Sequence, residues 1–245
     1  MLIDKRSAVE MTGLTQKSKR FNLLRLKSQP NGPIITFVKC DFSEKDLVKL
    51  VRNTRYLSDS NEYSFFSGTY KGKTLSFLGT GSGPASLLSA LFELIPTKIE
   101  SLIRIGACGG LNGSQIHQAV NVRRAACLDL VSSTLARAKK VSANANLANR
   151  ISEALRSDRI KNAFEDAVSV EAMYLFEKNV NRAEAQGAYC WDLETATTLA
   201  FGQKFGIRTA SVLYVVSDRA GNTIRSYPPI RKLRFVSAVL KAVSI

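Results

Sequence analysis

Histidine is nearly absent: His117 is the single one in 245 residues. One imidazole disfavours multi-histidine metal sites and His-dependent triads, and leaves acid–base work mostly to carboxylates. The four cysteines, Cys40, Cys108, Cys127 and Cys190, are far apart and form no C-x-x-C pair. That argues against a zinc ribbon or a small disulfide scaffold, suits a reducing compartment, and gives no reason to expect a bound metal. Long apolar runs are also missing, so no segment has the length needed to span a membrane. The glycine-rich turn Gly79-Thr80-Gly81-Ser82-Gly83-Pro84 lacks both the G-x-G-x-x-G and the G-x-x-x-x-G-K-[ST] spacing, which removes the Rossmann and P-loop readings.

Acid is scarce, and most of all at the two ends. The formal net charge is +15. Residues 1–30 carry Lys5, Arg6, Lys17, Lys19, Arg20, Arg25 and Lys27 against Asp4 and Glu10. After Asp218 come Arg219, Arg225, Arg231, Lys232, Arg234 and Lys241 with no acid at all. Ends of this kind suit RNA, an acidic membrane surface or an acidic protein partner, and equally a solvated basic surface. No RNA-binding motif or regular aromatic interleaving accompanies them. The first 30 residues, serine-containing and acid-poor, also fit a processed organellar targeting segment. The expected location is intracellular, in the cytoplasm or an organelle such as the mitochondrion.

What is present is enough for one large core, with 45% hydrophobic residues. Residues 1–32 read as an irregular basic arm closed by Pro30, Asn31, Gly32 and Pro33, and 33–245 as a single domain. Ile34 to Val38 predicts a buried strand, and Ser43 caps a predicted helix from Glu44 to about Arg55. Tyr63–Tyr70 and Thr74–Leu78 predict a hairpin turning at Lys71-Gly72-Lys73. A helix to Leu94 follows Pro84, then a strand Ser101–Ile105, an extended stretch Val120–Leu130, a helix over 144–156, a short helix Ser169–Phe176 and a last helix over 228–244. Alternating strands and helices give the α/β class.

The stretch Trp191 to Gly221 draws the strongest functional expectation. Asp192 and Glu194 sit where a helix starts; Ala196, Leu199 and Ala200 form one apolar face, and Gly206 stops it. Thr209 to Val216 then reads as a buried strand ending at Ser217-Asp218. Ligands of open α/β sheets bind beyond the carboxyl ends of strands, which makes Asp218 a site candidate. The alternative is that Asp218 starts a turn and Glu194 satisfies a helix terminus. Arg104, at the end of another strand beside Gly106–Gly110, offers a planar donor fork to an oxyanion.

Three segments together resemble a known family. Phe66 to Leu111 carries a Gly-Thr-Tyr strand (Gly68-Thr69-Tyr70), the Gly79–Pro84 turn and the strand end Arg104-Ile105-Gly106-Ala107-Cys108-Gly109. Trp191-Asp192-Leu193-Glu194 and Val215-Val216-Ser217-Asp218 follow in order. These are similar to the nucleoside phosphorylases, the family of bacterial purine nucleoside phosphorylases and uridine phosphorylases. The resemblance implies an α/β domain with a central mixed β-sheet flanked by helices, a nucleoside substrate, phosphate as co-substrate and no cofactor, and a homo-oligomer. It implies Asp218 as the acid at a purine base, Glu194 as the holder of the ribose hydroxyls over Leu193, Met173 and Asp192 beside the base, and Arg104 as a phosphate contact. The chemistry agrees. Cleaving an N-glycosidic bond builds positive charge on the sugar and negative charge on the base, and a carboxylate can accept two hydroxyl protons of a cis-diol.

The departures cluster at phosphate. Where the family reads Gly-Asp-Pro-x-Arg this sequence reads Cys40-Asp41-Phe42-Ser43-Glu44; a second family arginine falls at Asn61, a hydroxyl residue at Ala107, and a Gly-Asp pair at Gln118-Ala119. Each charged hydrogen bond lost to a phosphate costs about 1.5–3 kcal/mol. Two expectations follow: a pentosyltransferase (with hydrolysis as a variant) whose phosphate site is rearranged, or a catalytically degenerate member serving as a nucleoside-binding or structural subunit of a larger, RNA-containing assembly.

Overall fold

Sheet pairing organises the chain from Ile34 onward. A computed structural model describes residues 23–58, 60–172, 176–219 and 229–245. Strand β1 (Ile34–Val38) is buried along its whole length and pairs in parallel with β4 (Lys73–Thr80) on one side and β5 (Ser101–Gly110) on the other. β3 (Ser64–Tyr70) joins β4 antiparallel with Tyr70 opposite Lys73. The two turn residues, Lys71 and Gly72, have φ of 47° and 84°. That is the type I′ geometry that matches strand twist and favours glycine. The edge is β2 (Arg52–Tyr56), antiparallel to β3.

On the far side of β5 the sheet closes. β10 (Arg208–Ser217) runs parallel to β5 and antiparallel to β6 (Ala119–Cys127). β6 pairs with β8 (Asn162–Ser169), and β8 with β9 (Cys190–Asp192), which returns antiparallel to β5. So β5, β10, β6, β8 and β9 form a ring from which β1, β4, β3 and β2 extend. β7 (Lys140–Ser142) adds to β6. The architecture is a central mixed sheet flanked by helices, as expected. Among the described residues the helices are α1 (Glu44–Val48), α2 (Pro84–Leu94), α3 (Leu130–Ala136), α4 (Ala145–Ser157), α5 (Phe176–Ala185), α6 (Thr195–Phe205) and α7 (Pro229–Val243).

Three local expectations are corrected. The helix predicted from Glu44 to Arg55 ends at Val48, and Arg52–Tyr56 becomes a strand. Asn53 at φ 53° interrupts helical backbone, and the open edge of β3 supplies the hydrogen-bond partners that decide the conformation. The short helix expected at Ser169–Phe176 is not found over 169–172: Ser169 ends strand β8, whose Ala167-Val168-Ser169 end is buried between β6 and β9, and the next helix begins only at Phe176. Residues 173–175 lie outside the described residues. Third, α6 has no single apolar face: Thr195 to Gly202 and Phe205 are all buried. Two of its threonines are tolerated because Thr198 Oγ1 donates back to the Glu194 carbonyl at 3.0 Å and Thr195 Oγ1 meets Asp192 and Ser211, whereas the buried Thr197 hydroxyl has no hydrogen-bond partner.

The chain ahead of Ile34 is also packed where it is described. Leu24 is completely buried beside Leu57, Tyr63 and Leu91. The buried Glu93 carboxylate accepts the backbone N–H groups of Leu23 and Leu24 at 2.5 and 2.8 Å. Residues 1–22 of the basic arm lie outside the described residues.

Candidate active site

Three parallel strands, β1, β5 and β10, end side by side, and the site stands on their carboxyl ends. Arg104 on β5 is in register with Thr36 of β1 and Ser211 of β10, so its backbone is fixed from both sides. The side chain is 2% exposed, the largest of the fully buried ones. Its guanidinium lies back over Gly106: a Cβ there would fall 2.5–3.0 Å from the guanidinium atoms. Gly106→Ala must therefore displace the fork. We expect a loss of about 1–3 kcal/mol in denaturant unfolding, of the size seen for overpacked interiors.

The fork points at carboxylates. Arg104 Nε donates to Asp192 Oδ2 at 3.0 Å, and Nη2 donates to Glu194 Oε2 at 2.5 Å. Asp192, at the end of β9, is saturated further: Ser169 Oγ donates to its Oδ1 at 2.7 Å, and the Thr195 N–H and hydroxyl donate to its Oδ2 at 3.0 and 2.7 Å. Glu194 opens α6, and its Oε1 accepts the Gly83 N–H at 2.6 Å. The glycine-rich turn thus spends a backbone donor on an internal carboxylate.

Burial raises the Glu194 carboxyl, Asp192 and Asp41 push the same way, and Arg104 and the Gly83 N–H pull it down; the balance leaves it raised to about 7. Burial works against the Arg104 charge, but Glu194, Asp192 and Asp41 outweigh it and hold the guanidinium more firmly protonated than usual.

Above this cluster is a cavity of about 390 Å³, within the roughly 300–1,000 Å³ of small-molecule sites. Arg104, Asp192, Leu193 and Glu194 all line it, together with Asp41 and Trp191. Ser217 lines it as well; Asp218, the next residue, is half-buried and is not itself a lining residue. Met173 lies outside the described residues. Among the departures, Ala107 faces the cavity, but its N–H is taken by Asp41 Oδ2 at 3.0 Å. Glu44 is turned away from the cavity: Tyr56 donates to it at 2.9 Å and Ser64 donates to its other oxygen. Asn61 is exposed. Among the described residues no group of His, Cys, Asp and Glu could hold a metal ion.

Sequence reasoning missed Asp41, Trp191 and Cys108 as cavity residues. Asp41 carried a usable signal, since the strand-end rule that singled out Asp218 after β10 applies equally to the acid after β1. Trp191 and Cys108 carried none, because the short β9 that brings Trp191 opposite Gly109 is visible only in the paired sheet.

The sequence profile of the phosphorylase superfamily matches residues 34–228, nearly all of the span that builds this sheet and cavity. The chain belongs to the phosphorylase superfamily. It is 27% identical over 163 residues to the DeoD-type purine nucleoside phosphorylase of Bacillus velezensis, covering 62% of this chain and 67% of that protein. The DeoD-type enzyme of Shewanella sp. strain MR-4 is 28% identical over 173 residues, covering 69% and 73%; that of Bacillus subtilis is 28% identical over 163 residues, covering 62% and 67%. The nucleoside phosphorylase resemblance read from the sequence therefore stands, and with it a nucleoside phosphorylase-like function. No described helix of this superfamily member is long and apolar enough to cross a membrane.

Proposed function

We propose that the protein cleaves the N-glycosidic bond of a purine nucleoside. The observation that carries this reading is the buried Asp192–Arg104–Glu194 cluster opening on a ligand-sized cavity at the ends of β1, β5 and β10. Glu194, with Leu193 beneath the sugar, accepts the ribose hydroxyls. Asp218, one residue past the lining Ser217, gives a proton to the departing base, with Asp192 and Met173 on the base side. The purine assignment draws on Asp218 and on the names of the relatives. Arg104 is the residual contact for an acceptor anion, though its Nε and Nη2 are already spent on carboxylates. No metal or organic cofactor enters this chemistry, and the working form is proposed to be a homo-oligomer.

Incubation with inosine, adenosine, methylthioadenosine and uridine, with and without phosphate, tests the proposal by release of free base. Release from the purine nucleosides but not from uridine is expected. The occupied guanidinium favours a second reading, a nucleoside-binding subunit without catalysis. Calorimetric binding with no base release from any of the four would establish that reading and end the first.

Glu194 supplies a pH test. The diol needs the carboxylate form, and the group is raised to about 7. Nucleoside affinity should therefore strengthen as pH rises from about 6 to 8, by up to tenfold per unit below the midpoint. Glu194→Gln should bind weakly and show no such step. A wild-type affinity flat across pH 6–8 would remove Glu194 from the diol.

A further inference from the structure

The charge on the cavity wall is opposite in sign to that of the protein. Among the described residues, the charged groups lining the cavity are Asp41, Asp192, Glu194 and Arg104. Three acids thus outnumber one base, in a chain whose formal net charge is +15. The guanidinium is already engaged by Asp192 and Glu194. Asp41 is held there by an amide and a thiol: its Oδ2 accepts the Ala107 N–H at 3.0 Å and its Oδ1 faces the Cys40 thiol at 3.8 Å. Lys39 and Lys232 line the neighbouring cleft instead, where Lys232 donates to the Asp41 carbonyl at 2.6 Å and lies over the Phe42 and Tyr214 rings. Charges farther off than about 8 Å are largely screened at physiological salt, so a ligand in the cavity responds mainly to the wall.

The second feature of that wall is aromatic. Trp191, the sole tryptophan of the chain, lines the cavity beside Asp192. β9 sets it opposite Gly109 of β5, and the indole occupies the space that a side chain on Gly109 would need: a Cβ there would collide with ring atoms Nε1, Cε2 and Cδ1. Ala107, whose N–H holds Asp41, stands two residues back on the same strand, about 6.6 Å away. The indole and the Asp41 carboxylate are therefore anchored side by side along β5. An aromatic face beside carboxylates is the combination that recognises cations, quaternary nitrogen among them.

Resting on the nucleoside reading above, we propose that the site selects nucleosides whose base carries a fixed positive charge, with the base on the Trp191 indole and its charge toward Asp41. The chemical class is a purine nucleoside alkylated on the imidazole nitrogen N7. A neutral nucleoside gains the stacking on the indole, but neither the attraction of the ring face for a cation nor that of the carboxylates.

The test compares 7-methyladenosine, a cation at neutral pH, with 7-methyl-7-deazaadenosine, which has carbon in place of the charged nitrogen and keeps the shape. Rapid mixing in phosphate-free buffer reads binding as a change in the fluorescence of the single tryptophan, before turnover. Both ligands should quench it, and the cation should bind about tenfold or more tightly than its neutral isostere. Asp41→Asn keeps an oxygen for the Ala107 N–H and should cut that ratio about threefold or more, by weakening the cation. Equal affinities of the two ligands for the wild-type protein would overturn the charge selection and leave the nucleoside reading standing. A ratio unchanged in Asp41→Asn, with a wild-type unfolding midpoint, would remove Asp41 as the counter-charge. Calorimetric binding of the uncleavable isostere without a fluorescence change would take the base off Trp191. Failure of both ligands and of adenosine to bind would end both readings.

Discussion

Arg104→Ala should lower the unfolding free energy by about 3–5 kcal/mol at pH 8, read from the midpoint in urea. Removing one partner of a buried ion pair strands the other without compensation, and that is the size of the measured losses. Here two carboxylates are stranded: Asp192 and Glu194 are 4% and 3% exposed. Asp192 keeps the Ser169 and Thr195 donors, and Glu194 keeps only the Gly83 N–H among its charge-stabilising contacts. The loss should therefore depend on pH. The folded-state pKa of Glu194 is raised from an ordinary 4.5 to about 7. Its contribution to stability is thus complete below pH 4.5 and is lost as pH rises through about 7. Without Arg104 the carboxyl moves higher still, so the deficit of the variant should shrink as pH falls from 8 to 5. Arg104→Lys keeps the charge but not the two-pronged fork, and should fall between wild type and Arg104→Ala. Adding Glu194→Gln to Arg104→Ala should recover part of the deficit at pH 8. A loss under about 1 kcal/mol would mean that the cluster is not what holds these strand ends together.

Asp218→Asn should lower the rate of base release about 10²- to 10⁴-fold, equivalent to about 2.7–5.4 kcal/mol of barrier. A purine leaving as an anion is a poor leaving group, and protonating its imidazole nitrogen in the transition state removes that charge. Asparagine still offers a hydrogen bond but has no proton to give, so substrate binding should change little and kcat should carry the loss. Glu194→Gln should show the opposite balance, with KM carrying more of the effect, because the diol is gripped in both ground and transition states. If Asp218→Asn turns over at the wild-type rate with an unchanged unfolding midpoint, the base is protonated by another group.

Much of the fold was legible locally. β1, the β3–β4 hairpin, α2, β10 and α7 were all read within a few residues, because each is signalled by its own pattern: a β-branched apolar run, a Lys-Gly turn, or a proline at a helix start. The boundary between α1 and β2 was not legible, because strand pairing with β3 overrides the helical spacing of Leu47, Leu50 and Val51. α3 was not read at all. Its start is set by Asp129, whose side chain accepts the Ser132 N–H at 2.7 Å, and no long apolar period marks it. Closure of the ring was equally hidden, since it depends on β10 finding both β5 and β6.

The site divides along the same line. The sequence by itself marked candidates: Arg104 and Asp218 by strand-end position, Asp192 and Glu194 by a helix start, and Leu193 and the departures on the phosphate side by the family resemblance. Those are properties of short segments. Only the tertiary structure decided what these groups do to one another. Arg104 is separated from Asp192 by 88 residues and from Glu194 by 90, so no local pattern shows that its guanidinium is bound before any ligand arrives. The same holds for Asp41 on the Ala107 N–H, 66 residues away, and for Glu44, turned toward Tyr56 and Ser64. Burial and distance fix charge interactions, and both quantities exist only once β1, β5, β9 and β10 have come together.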